Sequence, residues 1–234
     1  MGNKIVVLQR NKGDDAKLQN IKKFLNPLKI VEYQANTTIP PVQGSNIDYV
    51  LFTGGHGNFI ASQPALLNGT TAANARKWLG ESSGLEADVF ILDTCFSSAF
   101  VPAFSGMIPV GGAIVCAHGS GEGFADALLN SDNAGKTVGV ALGGIVDGVT
   151  EMGLGFTSLS LYVRSQKGLK LYTTNGGENR DSGLQTRGTF GMDHDGADEL
   201  GQLDRFLMGK LIAIEVVTPD ALKAKLKENL KMTV

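Results

Sequence analysis

The 234-residue sequence lacks several features that would assign it to a specialised class of protein. Its only two cysteines, Cys95 and Cys116, are too few for a disulfide framework and are compatible with a reducing compartment. No apolar stretch approaches the length of a membrane span, and the apolar run near the N-terminus is too short for a signal peptide. The sequence therefore predicts a cytoplasmic protein without a membrane anchor.

The chain also has no large excess of charge of one sign, since it contains 21 Lys and Arg and 23 Asp and Glu. We therefore expect neither a nucleic acid nor an anionic membrane as partner. The two cysteines and three histidines do not show the paired spacings of a zinc site, so no zinc site is expected. Residues 193–199 resemble part of a calcium-binding loop without its full spacing or closing Glu. We expect a solvated acidic loop and no cofactor, with bound calcium as the alternative.

Short apolar runs alternate with helical patterns along the first 150 residues. Strands are predicted at residues 5–8, 30–33, 49–52, 89–92 and 113–117, with a loop at 34–46. A first helix is predicted from a cap at Asp14 or Asp15 to an end marked by Pro27, and further helices are predicted over 72–80, 122–130 and 137–149. This alternation indicates an α/β protein with a mostly parallel sheet in a three-layer α/β/α sandwich.

The pattern changes near residue 157, beyond which antiparallel structure is predicted. The expected elements are a hairpin of residues 159–163 and 169–173, a long polar loop at 174–202, a strand at 211–217, and a helix starting at Thr218 and Pro219. The chain length and the absence of a clear linker predict a single domain over residues 1–234.

A histidine and a cysteine follow two successive predicted strands. His56 comes after the run 49–52, and Cys95 comes after the run 89–92. Ligands bind beyond the carboxyl ends of strands in open parallel sheets, where neighbouring strands would bring the two side chains together. A cysteine nucleophile needs such a neighbour, because an unassisted thiol is mostly protonated at neutral pH. Backbone amides at Gly57 and Cys95 are suited to an oxyanion hole.

Residues 51–57 (LFTGGHG) and 89–98 (VFILDTCFSS) resemble the two motif blocks of the caspase-like (clan CD) cysteine peptidases. That clan includes caspases, metacaspases, clostripain, gingipains and legumain. Its pattern is an apolar strand ending in His-Gly, followed by an apolar strand ending in an acidic residue, a small residue and Cys. The resemblance covers residues 4 to about 130 and implies a caspase-like fold. It also implies an acid–base role for His56, a nucleophilic role for Cys95, and an oxyanion hole of the Gly57 and Cys95 amides.

The sequence departs from the clan pattern in ways that indicate the clostripain or metacaspase side. Gly54 stands where Ser or Ala is frequent, Thr94 stands where Ala or Ser is usual, and the caspase motif Gln-Ala-Cys-Arg-Gly is absent. In clostripain-like and metacaspase-like members, the Asp that matches Asp93 helps to bind Arg or Lys of the substrate. The resemblance therefore implies cleavage of peptide bonds after Arg or Lys. The alternative for Asp93 is a structural carboxylate that caps the next helix or binds turn amides.

The sequence also allows other interpretations of the function. The chain is alternatively a catalytically silent caspase-fold protein that binds or scaffolds partners, or a hydrolase of non-peptide amides or esters. Cys116, inside a predicted strand, is expected in the core, and His118 is expected to line the substrate pocket or to compete as base. Arg180 and Arg187, within the long polar loop, are candidate sites for self-cleavage. The expected partner is a peptide or protein substrate.

Overall fold

A computed structural model describes residues 2–10, 15–34, 42–54, 58–60, 63–66, 70–71, 84–94, 97–117, 123–151, 159–174 and 211–234. The strands within these ranges are β1 (Lys4–Gln9), β2 (Lys29–Tyr33), β3 (Gly44–Thr53), β4 (Asn58–Ile60), β5 (Gln63–Leu66), β6 (Thr70–Thr71), β7 (Leu85–Leu92), β8 (Ala113–Ala117), β9 (Leu159–Ser165), β10 (Gly168–Thr173) and β11 (Leu211–Val216). The α-helices are α1 (Asp15–Asn20), α2 (Val101–Phe104), α3 (Phe124–Leu128), α4 (Val138–Glu151) and α5 (Pro219–Asn229). A π-helical segment (Ile21–Leu25) and two 3-10 turns (Ser97–Phe100 and Ser131–Asn133) complete the list.

Eight of these strands form one sheet in the order β11-β10-β9-β8-β7-β3-β1-β2. Strands β2, β1, β3, β7 and β8 run parallel to one another. Strand β9 is antiparallel to both of its neighbours, and β10 is parallel to β11. The fold is therefore α/β with a mostly parallel sheet, as predicted. The predicted hairpin is also confirmed, and it extends this same sheet.

Apolar side chains cover both faces of the sheet. Side chains of β1 alternate between the faces, so that Ile5 and Val7 join one buried cluster and Val6 and Leu8 join the other. The second cluster includes apolar residues of α1, α3, α4 and α5. The first includes those of the helical turns that follow β7. Helical segments thus pack on both faces, in agreement with a three-layer arrangement.

The first predicted helix is confirmed in its extent, but its second half is π-helical. The α-helix covers Asp15–Asn20, continues as the π-helical segment and ends before Asn26, whose φ is +42°. Asparagine is one of the few residues that adopt the left-handed conformation readily. The amide of Leu28 donates to the carbonyl of Lys4 at 2.8 Å, so the chain just beyond Pro27 is already aligned beside β1.

The extent of β3 and the presence of a second sheet also differ from the prediction. Residues 44–46 belong to β3 rather than to the predicted loop 34–46. This part of the strand is held by backbone pairing with β7 and carries little apolar surface, so periodicity does not reveal it. Strands β4, β5 and β6 form a small antiparallel sheet that was not predicted. The predicted helix 72–80 and the predicted loop 174–202, apart from Thr174, lie outside the described residues.

Helices α4 and α5 approach each other closely at Gly139. A Cβ atom added to Gly139 would lie 2.3 Å from the carbonyl oxygen of Leu226, which is too short for a side chain to be accepted without movement. Thr218 caps α5, since its hydroxyl accepts a hydrogen bond from the amide of Ala221. The predicted helices at 122–130, 137–149 and after Thr218 are confirmed. None of the helices in the described ranges combines the length and hydropathy needed to cross a bilayer.

Candidate active site

Three parallel strands end side by side at one edge of the sheet. In the pairing of β3 with β7, Phe52 is the partner of Leu92, and the amide of Asp93 donates to the Phe52 carbonyl at 2.9 Å. Strand β8 lies on the other side of β7 and ends at Ala117. Because the three strands are parallel, the segments that follow them leave from the same edge.

Three predicted site residues follow these strand ends in the chain. His56 is three residues after Thr53, Cys95 is three residues after Leu92, and His118 directly follows Ala117. His56, Gly57, Cys95 and His118 lie outside the described residues. The dyad, the oxyanion hole and the pocket histidine therefore stay predictions. The geometry of the site is defined by the residues that flank these segments.

Asp93 lies at the centre of the described part of the site. The residue is buried, with 5% of its surface exposed. One oxygen, Oδ2, accepts a hydrogen bond from the Thr53 hydroxyl at 2.7 Å. The other, Oδ1, accepts from the amides of Gly123 and Phe124 at 2.9 and 2.8 Å. These amides belong to the start of α3, where backbone N–H groups have no partner within the helix.

These contacts match the alternative in which Asp93 binds turn and helix amides. The prediction that Asp93 binds Arg or Lys of a substrate stays a prediction. Burial raises the pKa of the Asp93 carboxyl, and the Thr53 hydrogen bond, the charge of Lys17 and the two amides act in the opposite direction. With both oxygens engaged inside the chain, the carboxylate is arranged to hold neighbouring segments together.

Ser97 makes a second connection at the same edge. Its hydroxyl donates to the carbonyl of Leu92 at 2.8 Å and accepts from the amide of Ala117 at 2.9 Å. Ser97 is fully buried and follows Cys95 by two residues. It therefore joins the turn after β7 to the end of β8. Sequence reasoning assigned no role to Ser97, because its bonding partner at Ala117 is 20 residues away and no local pattern indicates it.

Two further buried hydroxyls flank Cys95 in the chain. Thr94 precedes it directly and Ser98 follows it by three residues. Among the residues that the structure describes, neither Thr94 Oγ1 nor Ser98 Oγ has a hydrogen-bond partner. Buried hydroxyls are nearly always bonded, either to protein or to water. Both hydroxyls therefore flank Cys95 in the sequence without a partner in the described part of the chain.

Cys116, the second cysteine, is fully buried in β8. Burial raises the pKa of its thiol well above the ordinary value, because the thiolate would be desolvated. Its thiol therefore stays protonated and out of reach of a substrate. The prediction that Cys116 belongs to the core is confirmed.

Gly54 begins the segment that leads to His56. Its φ is +86°, and a Cβ atom added there would lie 2.4 Å from the carbonyl oxygen of Gln9 and 3.0 Å from Leu8 Cδ1. Both the left-handed backbone and the close approach to β1 require glycine. Ser or Ala, which is frequent at this position in the pattern that the sequence resembles, would be strained here.

A separate cleft opens at the opposite edge of the sheet. It has a volume of about 460 Å³ and is lined by residues that include Asn46, Glu86, Asp88, Met107 and Arg164. These residues lie near the amino ends of β3 and β7, whereas ligands of parallel sheets bind at the carboxyl ends. The cleft includes none of the predicted site residues.

Among the residues that the structure describes, no three His, Cys, Asp or Glu side chains are grouped to hold a metal ion. The acidic segment 193–199 lies outside those residues. A scan of the chain against protein-family models found no match, and neither did searches of curated proteins and of solved structures. The resemblance to the caspase-like peptidases therefore stays a hypothesis based on the two motifs.

Proposed function

We propose that this protein is a cysteine peptidase that uses His56 and Cys95 as a dyad. The observation that carries the proposal is the pairing of β3 with β7, whose carboxyl ends are adjacent and joined by the Thr53–Asp93 hydrogen bond. The chain continues from these joined ends to His56 and to Cys95. The burial of Cys116 leaves Cys95 as the cysteine suited to act as nucleophile.

In the proposed reaction, His56 accepts the thiol proton of Cys95 while the sulfur attacks the carbonyl carbon of the peptide bond. The amides of Gly57 and Cys95 stabilise the oxyanion. His56 then donates the proton to the leaving amine nitrogen, which leaves an acyl thioester on Cys95. A water molecule deprotonated by His56 hydrolyses this thioester, releases the carboxylate product and restores the thiol. A nucleophile that must stay reduced fits the predicted cytoplasmic location.

The decisive experiment measures peptide hydrolysis and thiol reactivity on the same protein preparations. We expect Cys95→Ala to abolish hydrolysis and His56→Ala to lower kcat/KM by about three orders of magnitude or more, because such pairs act as a unit. Cys116→Ala is the matched control and should keep most of the activity. Full activity in Cys95→Ala would refute the proposal.

Alkylation with iodoacetamide, followed by mass spectrometry, separates the proposal from its alternatives. An activated thiolate at Cys95 should be labelled quickly and selectively, and His56→Ala should slow the labelling. Slow labelling without hydrolysis would indicate a catalytically silent binding protein. Fast labelling with turnover of simple esters but of no peptide would indicate a non-peptide hydrolase. Matched fluorogenic peptides that differ only before the cleaved bond test the predicted preference for Arg or Lys.

A further inference from the structure

Three segments of the chain carry the predicted site residues His56, Cys95 and His118. The residues that lie before or after these segments in the chain are hydrogen-bonded to one another. Thr53 precedes the segment 55–57, which contains His56. Asp93 and Ser97 stand on either side of Cys95, each two residues away. The residues that bound the segment 118–122, which contains His118, are Ala117 and Gly123.

The hydrogen bonds among these bounding residues converge on Asp93. Its carboxylate joins Thr53 at the end of β3 to the amides of Gly123 and Phe124 at the start of α3. The amide of Asp93 also donates to the Phe52 carbonyl. One side chain therefore connects the end of β3, the end of β7 and the start of α3.

Ser97 completes the connection on the far side of Cys95. Its hydroxyl ties the carbonyl of Leu92 to the amide of Ala117, which is the last residue of β8. Asp93 and Ser97 thus fix the chain two residues before and two residues after the proposed nucleophile. Both side chains are buried, with exposures of 5% and 0%, so solvent does not compete for their hydrogen bonds.

We propose that Asp93 is the positioning residue of this active site and does not bind the substrate. It fixes the end of β7, from which the chain continues to Cys95, against the end of β3, which leads on to His56, and against the start of α3, which His118 precedes. The inference rests on the proposed peptidase function. A group that binds a substrate cation needs carboxylate oxygens open to solvent and to an incoming guanidinium. Asp93 instead presents its oxygens to a hydroxyl and two amides of its own chain.

Replacement by asparagine separates positioning from charge recognition. In Asp93→Asn the amide oxygen still accepts from Gly123 and Phe124, and the amide nitrogen donates to the Thr53 hydroxyl oxygen. The three contacts survive while the negative charge is lost. We expect kcat and KM for Arg and Lys peptides to stay within about threefold of wild type. The preference for the residue before the cleaved bond should not change.

Replacement by alanine removes the three contacts together. Asp93→Ala should lower kcat by roughly 10- to 100-fold, because small displacements of reacting groups are costly, and should change KM far less. It should also slow alkylation of Cys95 and move the pH profile of that alkylation toward the profile of an unassisted thiol. These readouts are taken at a temperature where circular dichroism shows the variant folded, so that loss of stability alone does not move them.

Thr53 supplies a second pair of variants in case Asp93→Ala does not fold. Thr53→Val removes the hydroxyl that bonds Asp93 and should repeat the fall in kcat more mildly, while Thr53→Ser should restore it. Ser160→Ala is the control for loss of a buried hydroxyl, since Ser160 Oγ has no hydrogen-bond partner among the described residues, and it should leave kcat unchanged.

The inference is overturned if Asp93→Asn loses its Arg and Lys preference while kcat on other peptides is kept, since Asp93 would then recognise the substrate charge. It is equally overturned if Asp93→Ala and Thr53→Val both keep wild-type kcat and wild-type alkylation of Cys95. Failure of the proposed function has a different signature: wild-type protein that neither cleaves peptides nor shows fast labelling of Cys95.

Discussion

Replacing Gly54 with alanine tests how tightly the chain at the end of β3, just before His56, is held against β1. The φ of Gly54 is +86°, a conformation that costs an L-residue about 1–2 kcal/mol. The added Cβ would also lie 2.4 Å from the Gln9 carbonyl oxygen. Overpacking of this kind typically costs about 1–3 kcal/mol. We therefore expect Gly54→Ala to lower the free energy of unfolding by about 2–5 kcal/mol, a large share of a typical total of about 5–15 kcal/mol.

Gly111 offers a control in which the backbone strain is present and the close contact is absent. Its φ is +90°, and a Cβ added there would meet no atom within 4 Å. Gly111→Ala should therefore cost only the backbone part, about 1–2 kcal/mol. Gly106→Ala, at a position with open space and no left-handed backbone, should be close to neutral.

Urea denaturation followed by circular dichroism measures these differences. With an m-value of about 3 kcal/mol per molar urea, the loss expected for Gly54→Ala moves the midpoint down by roughly 0.7–1.7 M. Peptide hydrolysis should fall as well, because the clash displaces the chain that leads to His56. Equal midpoints for the Gly54 and Gly111 variants would refute the reasoning that close packing against β1 holds this segment.

Three further predictions follow from single features of the fold and sequence. Cys116→Ala should lower stability by about 1–2 kcal/mol through loss of a buried side chain and should retain hydrolysis, as urea denaturation and a peptide assay would show. Gly139→Ala should destabilise the protein by about 1–3 kcal/mol, because the added Cβ disturbs the α4–α5 contact. Gly144→Ala in the same helix is the control: no atom lies within 4 Å of its added Cβ, and the same denaturation assay should find it neutral or stabilising. During incubation the wild-type protein should be cleaved within residues 174–202, whereas Cys95→Ala should remain intact, as gel electrophoresis and mass spectrometry would show. Equal fragmentation of both proteins would contradict self-cleavage.

The strands of the parallel sheet were predictable because their chemistry is local. A strand buried on both faces needs a short continuous apolar run, and such runs occur at β1, β3, β7 and β8. The helix at the C-terminal end was equally visible, because Thr218 and Pro219 form a recognisable start. Elements without an apolar signal were missed. The polar beginning of β3, for example, is held by backbone pairing.

The sequence by itself determined the fold class, the core position of Cys116 and the hypothesis that His56 and Cys95 meet at a sheet edge. Each follows from residue types and spacing along a few neighbouring positions. Only the tertiary structure decided that β3 and β7 are neighbours and that Asp93 bonds Thr53 and the amides at Gly123 and Phe124. Those partners lie 30 to 40 residues away in the chain, and both readings of Asp93 have the same local sequence. A buried carboxylate takes its role from the donors that folding brings to it, and no local pattern specifies which donors those are.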